Sequence, residues 1–326
     1  MPVTSEIRNT DTPHAGKLIC HLAVPSYNEA RRIIRCLDSV VCSALPSGCS
    51  WGRIAILDGA STDGTVDLVA EWAVAHPQLP VEIIVTERRT GKADALAGFH
   101  AELLMHGGDN EVVVVVDADT ALAPGALEAI ISALLADRER AVVWGTDGID
   151  SHGFRYWASS FQMAVVTAMA LAHPGRPRAY GRFFAYRLTA LANFTWSANK
   201  ITDDLQLARF TQERGLGVMT DPHAKVLVTP AGSFEDFYLQ TFRYIKAKVT
   251  DQGNRATDLF PRVTGRAVLS TLIRHPLWAM FYTGYRLAGH VRWALRRTAF
   301  TALWVPPSTT KAEPPATSLP VDAERQ

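Results

Sequence analysis

The 326-residue chain has only four cysteines, Cys20, Cys36, Cys42 and Cys49, all in its first fifth, and none forms a C-x-x-C pair. That excludes a disulfide-built scaffold and the common zinc spacings; a chain of this size buries a core without staples, and the thiols read as reduced. Neither charge is in excess, with Lys+Arg 33 against Asp+Glu 32. A nucleic-acid binder carries a basic domain or stripe, so no nucleic-acid partner is expected. No apolar run reaches the roughly 18 residues of a spanning helix. The opening stretch MPVTSEIRNTDTPHAGK has no apolar h-region, which removes a secretory signal and leaves a cytoplasmic protein as the expectation. G-x-G-x-x-G and G-x-x-x-x-G-K-[ST] are both missing, so dinucleotide and P-loop phosphate cradles find no support. There is no internal repeat.

What is present is a chain 48% hydrophobic overall, with its apolar body between two polar ends. Residues 1–17, and the Pro/Ser/Thr-rich segment 306–326, read as a disordered leader and tail. Between them short apolar runs alternate with helical patterns. LICHLAVP, RIAILDG, VEIIVTE and VVVVVDAD read as strands. Helices are expected from about Glu29 to Ala44, over TVDLVAEWAVAHP, over KADALAGFHAELLMHGG and after Pro124. Such alternation predicts an α/β fold, a mostly parallel sheet flanked by helices. The unbroken valine run suits a strand covered on both faces. In these sheets ligands bind beyond the carboxyl ends of the strands. The residues there are chemically loaded: Pro25-Ser26-Tyr27-Asn28-Glu29, Asp58 to Gly64, Glu87-Arg88-Arg89 leading to Lys92, and Asp117-Ala118-Asp119.

The last group poses the main question. Asp119 or Thr120 reads as a cap for the helix after Pro124, but a cap explains one acid and not two. In an extended segment, residues i and i+2 point to one side, and two carboxylates aimed together repel unless protonated or bridged by a cation. A hard divalent ion, Mg²⁺ or Mn²⁺, held by one or two carboxylates and substrate phosphates, relieves that repulsion. DGASTDGT reads as a turn in which Thr62 or Asp63 caps the next helix, while Asp58 ends its strand and caps nothing obvious.

Taken together, Pro25–Glu29, the DGASTDGT block, Gly91-Lys92 with Ala95-Leu96, and Asp117-Ala118-Asp119 resemble a family 2 glycosyltransferase of the GT-A fold over residues 18–145. GRFFAYR (Gly181–Arg187) resembles the family's acceptor-side strand, and ITDDLQLARFTQERG its T-E-D-x-x-L segment. Gln240-Thr241-Phe242-Arg243-Tyr244 resembles Q-x-x-R-W, so the resemblance extends over about 18–250. Two residues depart from the pattern: Asp203 stands for the usual Glu, and Tyr244 for the usual Trp. The chain also lacks a membrane channel, so it resembles a polysaccharide-synthase-like branch without transmembrane helices.

The resemblance implies a nucleotide-sugar half (18–145) and an acceptor half (146–250). It also implies roles. Pro25, Tyr27, Glu29 and Asp58 would contact the nucleoside, Lys92 the nucleoside or diphosphate, and Asp117 with Ala118 the ribose side. Asp119 would hold Mg²⁺ or Mn²⁺, and Asp204 would be the base. Asp203 fits either a supporting or a direct role, and Gln240, Arg243 and Tyr244 lie on the diphosphate and acceptor side, with a solvated helix charge as the other reading of Arg243. The implied donor is a nucleoside-diphosphate sugar, UDP-linked by family expectation, and the acceptor a saccharide or lipid-linked hydroxyl. One base and no nucleophile implies inversion. The alternatives are a polyprenyl-phosphate sugar synthase and a nucleotide-sugar-binding protein without turnover.

Residues 251–305 read as a helical, basic extension. On a helix, Leu287, Ala288, Val291, Ala294, Leu295, Ala299 and Ala302 share one face, and Arg286, His290, Arg292, Arg296 and Arg297 the other. Two readings stand: a helix over 276–304 lying in a membrane interface on the inner face of the plasma membrane, or one packed on the domain with its basic face solvated.

Overall fold

The valine run forms the spine of the molecule. In the computed structural model, which describes residues 17–151, 153–176, 181–197, 203–241 and 265–296, strand β4 (Glu111–Val116) lies between β1 (Leu18–Ser26) and β7 (Phe183–Arg187). Val112, Val114 and Val116 enter one core with α1 (Ile33–Val41), α2 (Thr65–Ala75) and α4 (Ala126–Leu135), while Val113 and Val115 enter another with α3 (Lys92–His106) and α6 (Asp203–Glu213). All five valines are wholly buried. A strand that alternates between two apolar layers has no polar face, which is why no polar residue interrupts the run.

The remaining strands are β2 (Cys49–Asp58), β3 (Val81–Val85), β5 (Ala121–Leu122), β6 (Arg140–Ile149) and β8 (Gly217–Val228), with α5 (Trp157–Ala172) between β6 and β7. The eight-stranded order is β3-β2-β1-β4-β7-β6-β8-β5. Strands β3, β2, β1 and β4 are mutually parallel; β7 is antiparallel to both neighbours. The chain moves outward from β1 through β2 and β3, then returns to β4 on the other side. The crevice beyond the ends of β1 and β4 is therefore a topological switch point.

Local differences from the sequence reading have physical causes. Helix α1 starts at Ile33, because residues 29–32 close a turn in which the Arg32 and Ile33 amides donate to the Glu29 carbonyl at 2.8 and 2.9 Å. The segment after β4 is not extended: the Thr120 amide and hydroxyl both return to the Asp117 carbonyl, at 3.1 and 2.8 Å. Asp119 and Thr120 thus do not cap α4, which starts behind Gly125 in the left-handed region at φ 75°. The short β5 intervenes, pairing with Val226 and Leu227 of β8. Helix α2 starts behind Gly64 at φ 87°, not at Thr62 or Asp63, although the Asp63 carboxylate accepts from the Thr65 amide at 3.1 Å. Beyond β8, a helix α7 covers 234–241, followed by α8 (Gly265–Arg274) and α9 (Pro276–Arg296). Among the described residues no helix is long and apolar enough to cross a membrane, and all four cysteines are unpaired thiols.

Candidate active site

Two of the loaded strand ends are bound to each other. The Asn28, Glu29 and Ala30 amides donate to Ser61 Oγ, Thr65 Oγ1 and Asp63 Oδ2 at 2.8, 2.9 and 3.1 Å, and the Thr62 amide returns a bond to Asn28 Oδ1 at 2.9 Å. Asp58 anchors this zipper. Its wholly buried carboxylate accepts from Ser26 Oγ at 2.9 Å and from the Ser61 amide and hydroxyl at 2.8 and 2.6 Å. The expectation that Asp58 caps nothing is therefore corrected: it closes the 58–61 turn. Shut from solvent, it presents no surface for direct nucleoside contact in this structure. Two residues of the zipper sit at positive φ, Asn28 at 53° and Ala60 at 62°. Asn tolerates that region, whereas Ala60 holds it at a cost of about 1 kcal/mol or more, offset by the surrounding bonds.

Above the zipper, Arg89 lays its guanidinium over the Tyr27 ring, 3.9 Å from the centroid. This makes a flat, partly exposed platform suited to stacking. Pro25, half-buried, is the penultimate residue of β1, while Glu29 is buried near Arg32.

Lys92, the first residue of α3, joins the two halves of the site. Its ammonium donates to Asp117 Oδ1 at 2.6 Å and to the Gly181 carbonyl at 2.5 Å, and pairs with Asp203 Oδ2 at 3.0 Å. Burial alone would favour losing the proton, but Asp117 and then Asp203 outweigh it and hold the ammonium above its ordinary range. Asp117 shows the opposite balance. Burial, resisted by Lys92 but helped by the charges of Asp119 and Asp203, pushes its carboxyl up to about 6.

Asp203 and Asp204 occupy the first turn of α6, where the helix dipole favours acids. Asp204 is buried, and its Oδ1 accepts from the Leu205 amide at 2.9 Å. Gly181 lets the start of β7 pass close by. A Cβ there would lie 3.2 Å from Asp204 Cβ and 3.4 Å from Asp203 Oδ2. Asp117, Lys92, Gly181, Asp203 and Asp204 therefore form one contiguous patch.

Asp119 differs from its neighbours. Its carboxylate is half-buried and, among the described residues, accepts no hydrogen bond; Arg32 approaches its backbone carbonyl at 3.5 Å. Ala118 between the two acids is buried. Among the described residues, no group of three or more His, Cys, Asp or Glu is arranged to hold a metal. One available carboxylate suits a hard divalent ion that takes its other ligands from substrate phosphates and water, and does not suit a closed, all-protein site.

Sequence reading gave no role to four basic residues at this rim. Arg32 is buried and interacts with Asp119 and Glu29. Arg35 pairs with Asp150 at 2.7 Å, tying α1 to the end of β6. Arg182 pairs with the buried Asp147 at 2.6 Å, beside Gly181, and Arg89 covers Tyr27. Arg32 left a signal: it lies four residues before Cys36 and eight before Val40, a charge on the apolar face of α1. Gln240 sits half-exposed on α7, whereas Arg243 and Tyr244 lie outside the described residues, as do the leader 1–16 and the tail 306–326.

Comparison with known proteins supplies the family. A curated relative, dolichyl-phosphate beta-glucosyltransferase ALG5C of Trichomonas vaginalis, is 32% identical over 132 residues, 38% of this chain and 36% of that protein. The match thus spans little more than a third of the relative's length. Among solved structures, the mannosyltransferase PcManGT of Pyrobaculum calidifontis, in complex with GDP-Man and Mn²⁺, superposes with a TM-score of 0.56 at 22% identity, covering 87% of this chain and 76% of that one. That likeness establishes the GT-A fold. The model of the family described as glycosyl transferase family 2 matches residues 22–194, more than half of the sequence, and the chain belongs to that family.

Proposed function

We propose that the chain moves a sugar from a nucleoside-diphosphate sugar to a hydroxyl of a saccharide or lipid-linked acceptor, with inversion and with the help of Mg²⁺ or Mn²⁺. The observation that carries this reading is Lys92, which joins Asp117 at the end of β4 to Asp203 at the start of α6. Through it, a donor-side carboxylate and the proposed base share one patch. The Tyr27–Arg89 platform receives the nucleoside, and the zippered loops of Asn28 and Asp58 hold that platform in place. Asp119 holds the divalent ion, which when bound neutralises charge on the departing diphosphate. Asp204 takes the acceptor proton as the acceptor oxygen bonds to the anomeric carbon and the bond from that carbon to the diphosphate breaks. With Asp204 as base and no residue of the proposed set attacking the sugar, the displacement is single and inverts the centre. The base of the nucleotide is uridine by family expectation, with guanosine as the other candidate.

The likeness to a dolichyl-phosphate glucosyltransferase favours one second reading, a polyprenyl-phosphate acceptor. A phosphate attacks without loss of a proton, so on that reading Asp204 contributes little. Both readings suit a peripheral position at a membrane.

Replacing Asp119 with Ala tests the metal assignment. By calorimetry, wild-type protein should bind its nucleoside-diphosphate sugar at least tenfold more tightly with Mn²⁺ than without, a difference of about 1.4 kcal/mol. Asp119→Ala should lose the Mn²⁺ effect and keep the metal-free affinity. An unchanged Mn²⁺ response in the variant would contradict the assignment.

A further inference from the structure

The C-terminal helices combine the two sequence readings in an unexpected way. Helices α8 and α9 run on almost continuously, since the His275 amide donates to the Thr271 carbonyl at 2.9 Å and the Ala279 amide to the His275 carbonyl at 3.1 Å. The side of α9 that packs on the domain is aromatic. Phe281 meets Trp157 and Tyr282 meets Phe161, each with centroids 5.2 Å apart, and Tyr285 meets Phe234 and Phe237 of α7 at 5.4 and 5.5 Å. One residue of the basic side, Arg292, reaches the domain too, while His290 stays exposed. Arg292 forms a two-pronged pair with Glu235 and lies 4.6 Å from the Tyr238 ring centroid. The helix docks through its aromatic side, and the apolar row that sequence pattern separates from the basic residues is left exposed.

That face is a regular row. Leu269, Ile273, Leu277, Met280, Leu287 and Val291 follow helical spacing, with Gly284 open between them. Together with Leu272, they are 41–71% exposed. The row is about 33 Å long at 1.5 Å per residue, larger than the scattered apolar side chains of an ordinary surface. The two helices themselves carry one sign of charge: residues 265–296 hold five arginines and no acid. Arg266 and Arg274 stand exposed beside the row. A second copy of the chain would set arginine against arginine, so the charge favours an anionic occupant.

We propose that the exposed row of α8 and α9 docks on an anionic lipid bilayer, lying in the interface plane and not crossing it. The apolar side chains enter the headgroup boundary while Arg266 and Arg274 meet lipid phosphates. Helix α7, which carries Gln240, packs against the opposite side of α9, so docking brings the acceptor half of the site next to the bilayer. This rests on the reading of a membrane-side acceptor and names the surface that reaches it.

Co-sedimentation of the full chain with phosphatidylcholine vesicles, with and without a third of phosphatidylglycerol, tests the proposal. Wild-type protein should pellet with the anionic vesicles and be released by high salt. Met280→Asp combined with Leu287→Asp should reduce the bound fraction at least tenfold, and Arg266→Glu with Arg274→Glu should remove the preference for anionic lipid. Both variants should keep wild-type thermal stability and sugar transfer to a soluble acceptor, which separates a failure of docking from a failure of the glycosyl-transfer reading. Absence of wild-type binding, equal binding by the charge variant, or a wild-type dimer that the Asp substitutions dissolve would overturn the proposal.

Discussion

Asp204→Asn should lower the rate of sugar transfer by about 10²–10⁴-fold, the contribution of a positioned general base. It should leave nucleotide binding and stability near wild type. The amide matches the carboxylate in shape, and its carbonyl oxygen still accepts from the Leu205 amide, as Asp204 Oδ1 does at 2.9 Å. The buried setting therefore tolerates the change while the proton acceptor is lost. Single-turnover transfer and nucleotide titration on the same preparation measure both halves of the expectation. Full transfer by the variant would remove Asp204 as base and favour the polyprenyl-phosphate acceptor.

Lys92→Met should have the largest structural effect. The ammonium stands between Asp117 and Asp203 at 2.6 and 3.0 Å. Methionine keeps the stem and leaves two partly buried carboxylates facing each other without a cation. Breaking a buried pair from one side costs about 3–5 kcal/mol; the side chains here are 18–26% exposed, so the lower end applies. Urea denaturation should show a loss of about 3 kcal/mol. Combining Lys92→Met with Asp203→Asn should recover a substantial part of it, because one of the stranded charges is gone. Donor affinity should stay depressed in the double variant, since neither the cation nor its link from α3 to α6 returns. A double variant no more stable than the single one would show that the pairing carries little energy.

The parts of this molecule readable from sequence are those written as local pattern. Five valines without a polar interruption require cover on both faces, and the alternation of Val112, Val114 and Val116 with Val113 and Val115 between two cores is that requirement met. The rule that ligands gather at strand ends selected Tyr27, Lys92, Asp117 and Asp119 for the same reason. What escaped is set by distance along the chain. No periodicity links Lys92 to Asp203, or Ser26 and Ser61 to Asp58, so a carboxylate that closes a turn reads like one that faces a ligand. The extended-strand argument for Asp117 and Asp119 used a geometry that Thr120 cancels by turning back on Asp117. In α9, a helical wheel set Leu287 and Val291 apart from Arg292, while its residues from 293 onward have side chains outside the described part. It did not say which side the aromatic cluster of Trp157, Phe161 and Phe237 would claim, because those partners lie on α5 and α7.

The central claim is that the crevice beyond β1 and β4 binds a nucleoside-diphosphate sugar together with a divalent ion. The most direct measurement is a thermal-denaturation screen of uridine and guanosine diphosphate sugars with and without Mn²⁺, paired with release of the nucleoside diphosphate. A ligand that binds only the folded state stabilises it by about 2.7 kcal/mol at 100 times its Kd. The account predicts that one nucleotide sugar raises Tm in step with its concentration, more strongly with Mn²⁺ than without, and is turned over only when the ion is present. No shift with any nucleotide sugar, in either condition, would contradict it.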